Sequence, residues 1–74
     1  YDGRTILTER ESTLLALFAT HPQRTFSRDD ILREVFDPHD TPGTVDTYVH
    51  YLRRKTDPDI VTTVRGLGYR LGMM

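Results

Sequence analysis

The 74-residue chain has no cysteine, only two serines, and no apolar run near the roughly 20 residues that cross a bilayer. Without cysteine there are no disulfides, no thiolate nucleophile and no cysteine-based metal site, which fits a reducing compartment. Cytoplasm is therefore the expected location, with no membrane partner, and no signal peptide is visible. Ser12 and Ser27 lie in no nucleophile motif. The glycines of "RGLGYRLG" lack the third member of a dinucleotide-binding fingerprint and follow no strand-to-helix pattern. Catalysis is not expected, and neither is a cofactor. A basic balance is also missing: the net charge is −1, where domains that bind nucleic acid are usually cationic.

The ordinary parts are present. Apolar residues make up 36% and charged residues 28% of the chain, the balance of a soluble domain with one modest core. The chain opens on Tyr1 rather than methionine, so a piece of a longer protein is expected. Charge is sorted along it. Residues 1–43 carry five arginines against eight acids, a balance of −3, while residues 44–74 carry five cations against three acids, a balance of +2. The positive charge gathers at the C-terminal end.

Punctuation divides the chain into five elements. "GRTIL" is a short strand candidate. Thr8 and Glu11 are spaced as a capping box, so a first helix starts there, with Leu14, Leu15, Leu17 and Phe18 as its apolar stripe and His21-Pro22 as its stop. Ser27 caps a second helix whose first turn holds Asp29 and Asp30. Ile31, Leu32, Val35 and Phe36 form its buried face until Asp37-Pro38. Residues 37–43 read as a loop. A third helix is expected from about Thr44 to Lys55, with Thr44 as N-cap, Asp46 in the first turn and Val45, Val49 and Leu52 facing the core. "IVTTV" and "GYRL", separated by "RGLG", then read as a hairpin whose glycines supply positive φ. Three helices with one apolar stripe each, followed by a hairpin, make a mainly helical α+β domain of the winged helix-turn-helix kind.

The side of the third helix opposite its stripe is the sharpest functional signal. At about 100° per residue it carries Thr47, His50, Tyr51 and Arg54, with Arg53 and Lys55 on its flanks. "RRK" alone reads as a solvated helix end, where cations suit the dipole. The whole face reads differently, because it has donors and amphipathic groups and no acid. Arginine suits guanine edges and phosphates, the threonine methyl suits thymine, and tyrosine and histidine suit phosphates or base faces in a major groove. Arg65, in the hairpin turn, is well placed for a minor groove. Asp46 and His50, with His39 and Asp40 nearby in sequence, lack a tetrahedral ligand pattern and read better as a capping acid and surface groups, so no metal is expected. Asp29-Asp30 is likewise explained by the helix dipole rather than by acid–base work.

With those residues placed, the chain resembles the C-terminal DNA-binding domain of OmpR/PhoB-type response regulators, the output half of bacterial two-component systems. "LTERESTLLALFATHPQRTFSRDDILREVF" is similar to the family's first two helices, "TVDTYVHYLRRK" to its recognition helix and "IVTTVRGLGYRL" to its wing. The resemblance covers about residues 5–71. It implies a transcription factor domain with the helix of about 44–55 in the major groove and the wing, residues 62–71, at the minor groove. A receiver domain, phosphorylated in a phosphorelay, would lie upstream, and a homodimer would bind promoter direct repeats. By position it implies Thr44, Thr47 and Tyr51 on the base-reading side, and Tyr48, His50, Arg53 and Thr63 at phosphate-contacting or flanking places. Arg65 matches the minor-groove arginine, and Tyr69 matches a wing residue that packs or touches the backbone.

There are departures from the family's pattern. Gly43 stands where an arginine is common, Tyr51 stands where many members carry a basic residue, and the opening four-stranded sheet is shortened to about one strand. The near-neutral net charge keeps a second expectation open, a protein-interaction module that docks RNA polymerase or a second copy through the 37–43 loop and the first helix.

Overall fold

The protein is described here by a computed structural model covering residues 6–72. Its first helix, α1 (Glu9–Thr20), begins at the expected capping box. Thr8 Oγ1 accepts from the Glu11 amide at 3.2 Å, and Glu11 Oε1 accepts from the Thr8 amide at 2.8 Å. Two of the orphan donors at the helix start are thereby satisfied. The second helix, α2 (Arg28–Val35), uses a reciprocal cap as well. Ser27 Oγ accepts from the Asp30 amide at 3.0 Å and Asp30 returns the contact, where the sequence suggested only a one-sided cap.

The third helix, α3 (Pro42–Lys55), starts two residues before the expected point. Pro42 takes the first helical position, where its fixed φ is already helical and its missing N–H costs nothing. Thr41 is the N-cap, so Thr44 lies inside the helix rather than at its cap. Asp46 consequently falls beyond the first turn, too far along to serve the dipole.

Strands β1 (Val61–Val64) and β2 (Gly68–Leu71) pair antiparallel, with Val61 opposite Leu71 and Thr63 opposite Tyr69. Between them the Leu67 amide donates to Val64 O at 2.9 Å, and Gly66 has φ 77° while Arg65 keeps a negative φ. That combination is a type II turn, which needs glycine at its third position. Gly68 serves another purpose. Phe26, in the α1–α2 connection, bridges Tyr69 through two backbone hydrogen bonds of 2.7 and 2.9 Å, and a Cβ on Gly68 would lie 2.0 Å from Phe26 O. The second glycine therefore admits a neighbouring chain segment rather than tightening the turn.

The three apolar stripes meet in one core of Leu14, Phe18, Phe26, Ile31, Phe36, Val45, Val49, Leu52, Val61, Tyr69 and Leu71. Leu15, Leu17, Leu32 and Val35 of the expected stripes pack at its margin, half-buried. Of the strand candidate before α1, residues 3–5 lie outside the described residues. Ile6 and Leu7 form no strand, and Ile6 is exposed. No helix among the described residues is long and apolar enough to cross a membrane.

Candidate nucleic-acid interface

The helical period places Val45, Val49 and Leu52 of α3 in the core, so the opposite side is left to solvent. Thr47, His50, Tyr51 and Arg54 are all exposed there. Arg54 has no partner among the described residues, and neither does Arg65, which projects from the wing turn. Thr47 spends its hydroxyl proton on its own helix, donating to Gly43 O at 3.1 Å. Thr63 is exposed on β1, and Thr44 is half-buried near the start of α3.

The other residues singled out from the sequence have supporting geometry. Tyr48 is half-buried and stands edge-on to Phe36, with ring centroids 5.1 Å apart. Arg53 turns along α3 toward the hairpin. Its guanidinium donates to Val61 O at 2.8 and 3.2 Å and to Thr63 Oγ1 at 2.9 Å. Tyr69 is buried, and its hydroxyl donates to Asp46 Oδ1 at 2.5 Å. Arg28 Nε donates to the same oxygen at 2.8 Å, and its guanidinium carbon lies 5.6 Å from the centre of the Tyr69 ring. Two polar ties, one at each end of the contact, thus hold the wing against α3.

These contacts set the titration of the groups involved. Burial alone would raise Asp46, but hydrogen bonds from Tyr69 and Arg28 outweigh it and hold the carboxyl below its usual value. Burial pushes the Tyr69 phenol up, and its bond to the Asp46 carboxylate pushes it further. A similar balance holds at the far end of α3. Lys55, expected as a flanking surface cation, instead donates to the buried Glu11 at 2.8 Å. Burial would raise Glu11, yet the Lys55 bond and the Thr8 amide keep it below its usual value.

Sequence reasoning missed Arg28 as part of this site. One signal was available: a cation at the first position of a helix opposes the dipole, so Arg28 needs a partner outside its own helix. Two of the weighed metal ligands find other uses, Asp40 by accepting from the Asp37 amide at 3.0 Å. Asp46 is occupied by Arg28 and Tyr69, and among the described residues no cluster of three or more histidine or acidic groups could hold a metal. Asp30 caps α2 and pairs with Arg33 and Arg24, and the Ser27 hydroxyl is the chief cause of its lowered titration.

The family described as "Transcriptional regulatory protein, C terminal" matches residues 2–71. The chain belongs to it. This family is one of regulators rather than enzymes, and its arrangement of three helices and a hairpin is the winged helix of response regulators. Response regulator MprA of Mycobacterium tuberculosis is 42% identical over 74 residues, covering 92% of this chain and 32% of MprA. The alkaline phosphatase synthesis transcriptional regulatory protein SphR of Synechococcus elongatus is 38% identical over 78 residues, covering 96% of this chain and 30% of SphR. The chain therefore spans about a third of the length of these relatives. Among solved structures, the DNA-binding domain of Bacillus subtilis CssR matches with a TM-score of 0.82 and 41% identity, over 96% of this chain and 86% of that one. The DNA-binding domain of response regulator AdeR, solved in complex with an intercistronic region, matches with a TM-score of 0.84 and 27% identity, over 93% of this chain and 74% of that one.

Proposed function

We propose that this transcriptional regulatory domain binds double-stranded DNA in a sequence-specific manner, as the output end of a two-component response regulator. The exposed face of α3 enters the major groove, and Arg65 reaches the adjacent minor groove. The observation that carries this reading is the joint presentation of Thr47, His50, Tyr51, Arg54 and Arg65 by a helix and a wing tied to each other through Arg53 and Tyr69. The similarity to the AdeR DNA-binding domain, solved in complex with an intercistronic region, supports the DNA-binding reading. Arg53, Tyr48 and Tyr69 act chiefly by fixing the two reading elements, and Thr44 and Thr63 flank them.

In this reading residues 1–74 form one domain, a receiver domain precedes it in the longer chain, and two copies bind promoter direct repeats in the cytoplasm. A second surface fits a protein partner such as RNA polymerase. A cleft of about 540 Å³ beside the 37–41 loop, shorter than the expected 37–43 because α3 starts at Pro42, is lined by Leu32, Phe36 and Pro38 together with Asp29, Arg33 and Asp40. The two roles are compatible, since a regulator touches both DNA and the transcription machinery.

Salt dependence tests the DNA reading. Arg54, Arg65 and Arg70 are exposed without partners among the described residues, and Arg28 is partly exposed. Three or four such cations in the phosphate layer give a slope of log K against log[salt] of about −3 to −4, at about −0.9 each. Fluorescence anisotropy on promoter duplexes reads this slope directly. A flat dependence, or no binding to any duplex at low salt, contradicts the proposal.

A further inference from the structure

Within the DNA-binding reading, on which this step rests, the outward face of α3 offers few ways to recognise a base. Adenine is read by asparagine or glutamine, cytosine by an acid and guanine by arginine or lysine. That face has no amide and no acid side chain, and Arg54 is its one cation at the pole. The Thr47 hydroxyl proton is already given to Gly43 O at 3.1 Å. Beside the His50 imidazole, what remains is apolar: the Thr47 methyl and the ring of Tyr51.

Tyr51 is built for such a contact. It stays 46% exposed although its ring is braced on two sides. Tyr48 meets it edge-on at 6.0 Å with an interplanar angle of 71°, and His50 lies at 6.2 Å. Tyr48 in turn stands against the core ring of Phe36 at 5.1 Å. An aromatic chain thus runs from the core to the surface and limits the rotamers open to Tyr51, so little ordering entropy is lost when the ring meets a partner. Thr47 lies one turn earlier on the same side and extends the apolar strip.

We propose that Tyr51 is a specificity-determining residue that reads thymine, its ring packing on the C5 methyl group in the major groove with the Thr47 methyl beside it. Thymine is the base whose major-groove edge carries a methyl group, so the contact discriminates against the other three. The operator half-site accordingly holds a thymine opposite the middle of α3.

The test uses the chain and a randomised duplex pool. Sequences that the wild-type chain retains are enriched, and each thymine of the enriched site is replaced in turn by uracil, which removes the methyl and leaves the pairing edge intact. Affinities are then measured for wild type, Tyr51→Phe and Tyr51→Ala, with thermal melts confirming that these surface variants fold. At one thymine, uracil is expected to weaken wild type and Tyr51→Phe alike by about fourfold, the worth of one methyl-sized apolar contact at roughly 0.8 kcal/mol. Tyr51→Ala binds more weakly and does not distinguish uracil from thymine there. The inference is overturned if no uracil substitution matters, if Tyr51→Ala keeps full uracil sensitivity, or if Tyr51→Phe loses as much as Tyr51→Ala, which would make Tyr51 a hydroxyl contact. Failure to enrich any duplex removes the DNA-binding reading itself, and this inference with it. A site enriched but insensitive to uracil removes only this inference.

Discussion

Tyr69 and Asp46 show how far the candidate interface rests on side chains engaged within the fold. The Tyr69 hydroxyl bond to Asp46 joins the hairpin to α3, and Arg28 shares the same carboxylate oxygen. Because the Asp46 side chain is still 45% exposed, the bond belongs at the low end for charged acceptors. Tyr69→Phe is expected to cost about 1–1.5 kcal/mol in urea unfolding. Asp46→Asn should cost less in the Tyr69→Phe background than in wild type, because the two share one interaction; strictly additive costs would show that the contact contributes nothing. The alkaline limb follows from the raised phenol: stability is fully present below its ordinary value of 10.0 and falls as pH rises through the higher folded value. Glu11 behaves in the opposite direction. Its folded value is depressed, so its contribution is present above the ordinary 4.5 and fades as pH falls toward the folded value. Lys55→Ala leaves this buried carboxylate without its ion-pair partner and should cost about 1–3 kcal/mol at neutral pH. That deficit should shrink below pH 4.5, as thermal melts across the acid range would show. A deficit constant with pH would mean that Lys55 acts by packing alone.

Helix starts were readable from the sequence because capping is local: Thr8 with Glu11, and Ser27, act over three residues. The start of α3 was misplaced for the same reason. Thr44 has the right chemistry for a cap, but Pro42 at the first helical position moves the start upstream without any side-chain cap bond from Thr41. The wing separates local from distant causes most cleanly. Gly66 is required by its turn, which the motif "RGLG" announces, whereas Gly68 is required by Phe26, more than forty residues away along the chain. Gly66→Ala meets no neighbour within 4 Å and bears only backbone strain, about 1–2 kcal/mol. Gly68→Ala adds a collision with Phe26 O and should cost clearly more, roughly 3 kcal/mol or above, with loss of the Phe26–Tyr69 bridge. Denaturant titration of both variants checks the order; equal costs would remove the close-approach role assigned to Gly68.

The net charge of −1 argues against a polyanionic partner only when the molecule is treated as a uniform sphere. Many of its acids are used internally: Glu11 by Lys55, Asp30 by Arg33 and Arg24, Asp40 by Arg10, and Asp46 by Arg28. The exposed side of α3 and the wing tip carry cations and no acid. That face was legible in the sequence because helical periodicity projects it from one segment. The intramolecular contacts of Arg53, Tyr48 and Tyr69 were not, since they are made with Val61, Phe36 and Asp46 across the tertiary fold. The central claim, that α3 and the wing together form a DNA interface, is tested most directly by amide shift mapping of the chain titrated with duplex DNA. The account predicts perturbations concentrated in residues 43–54 and 63–70. Perturbations concentrated in α1 and the 37–41 loop, with residues 43–54 and 63–70 unmoved, would contradict it.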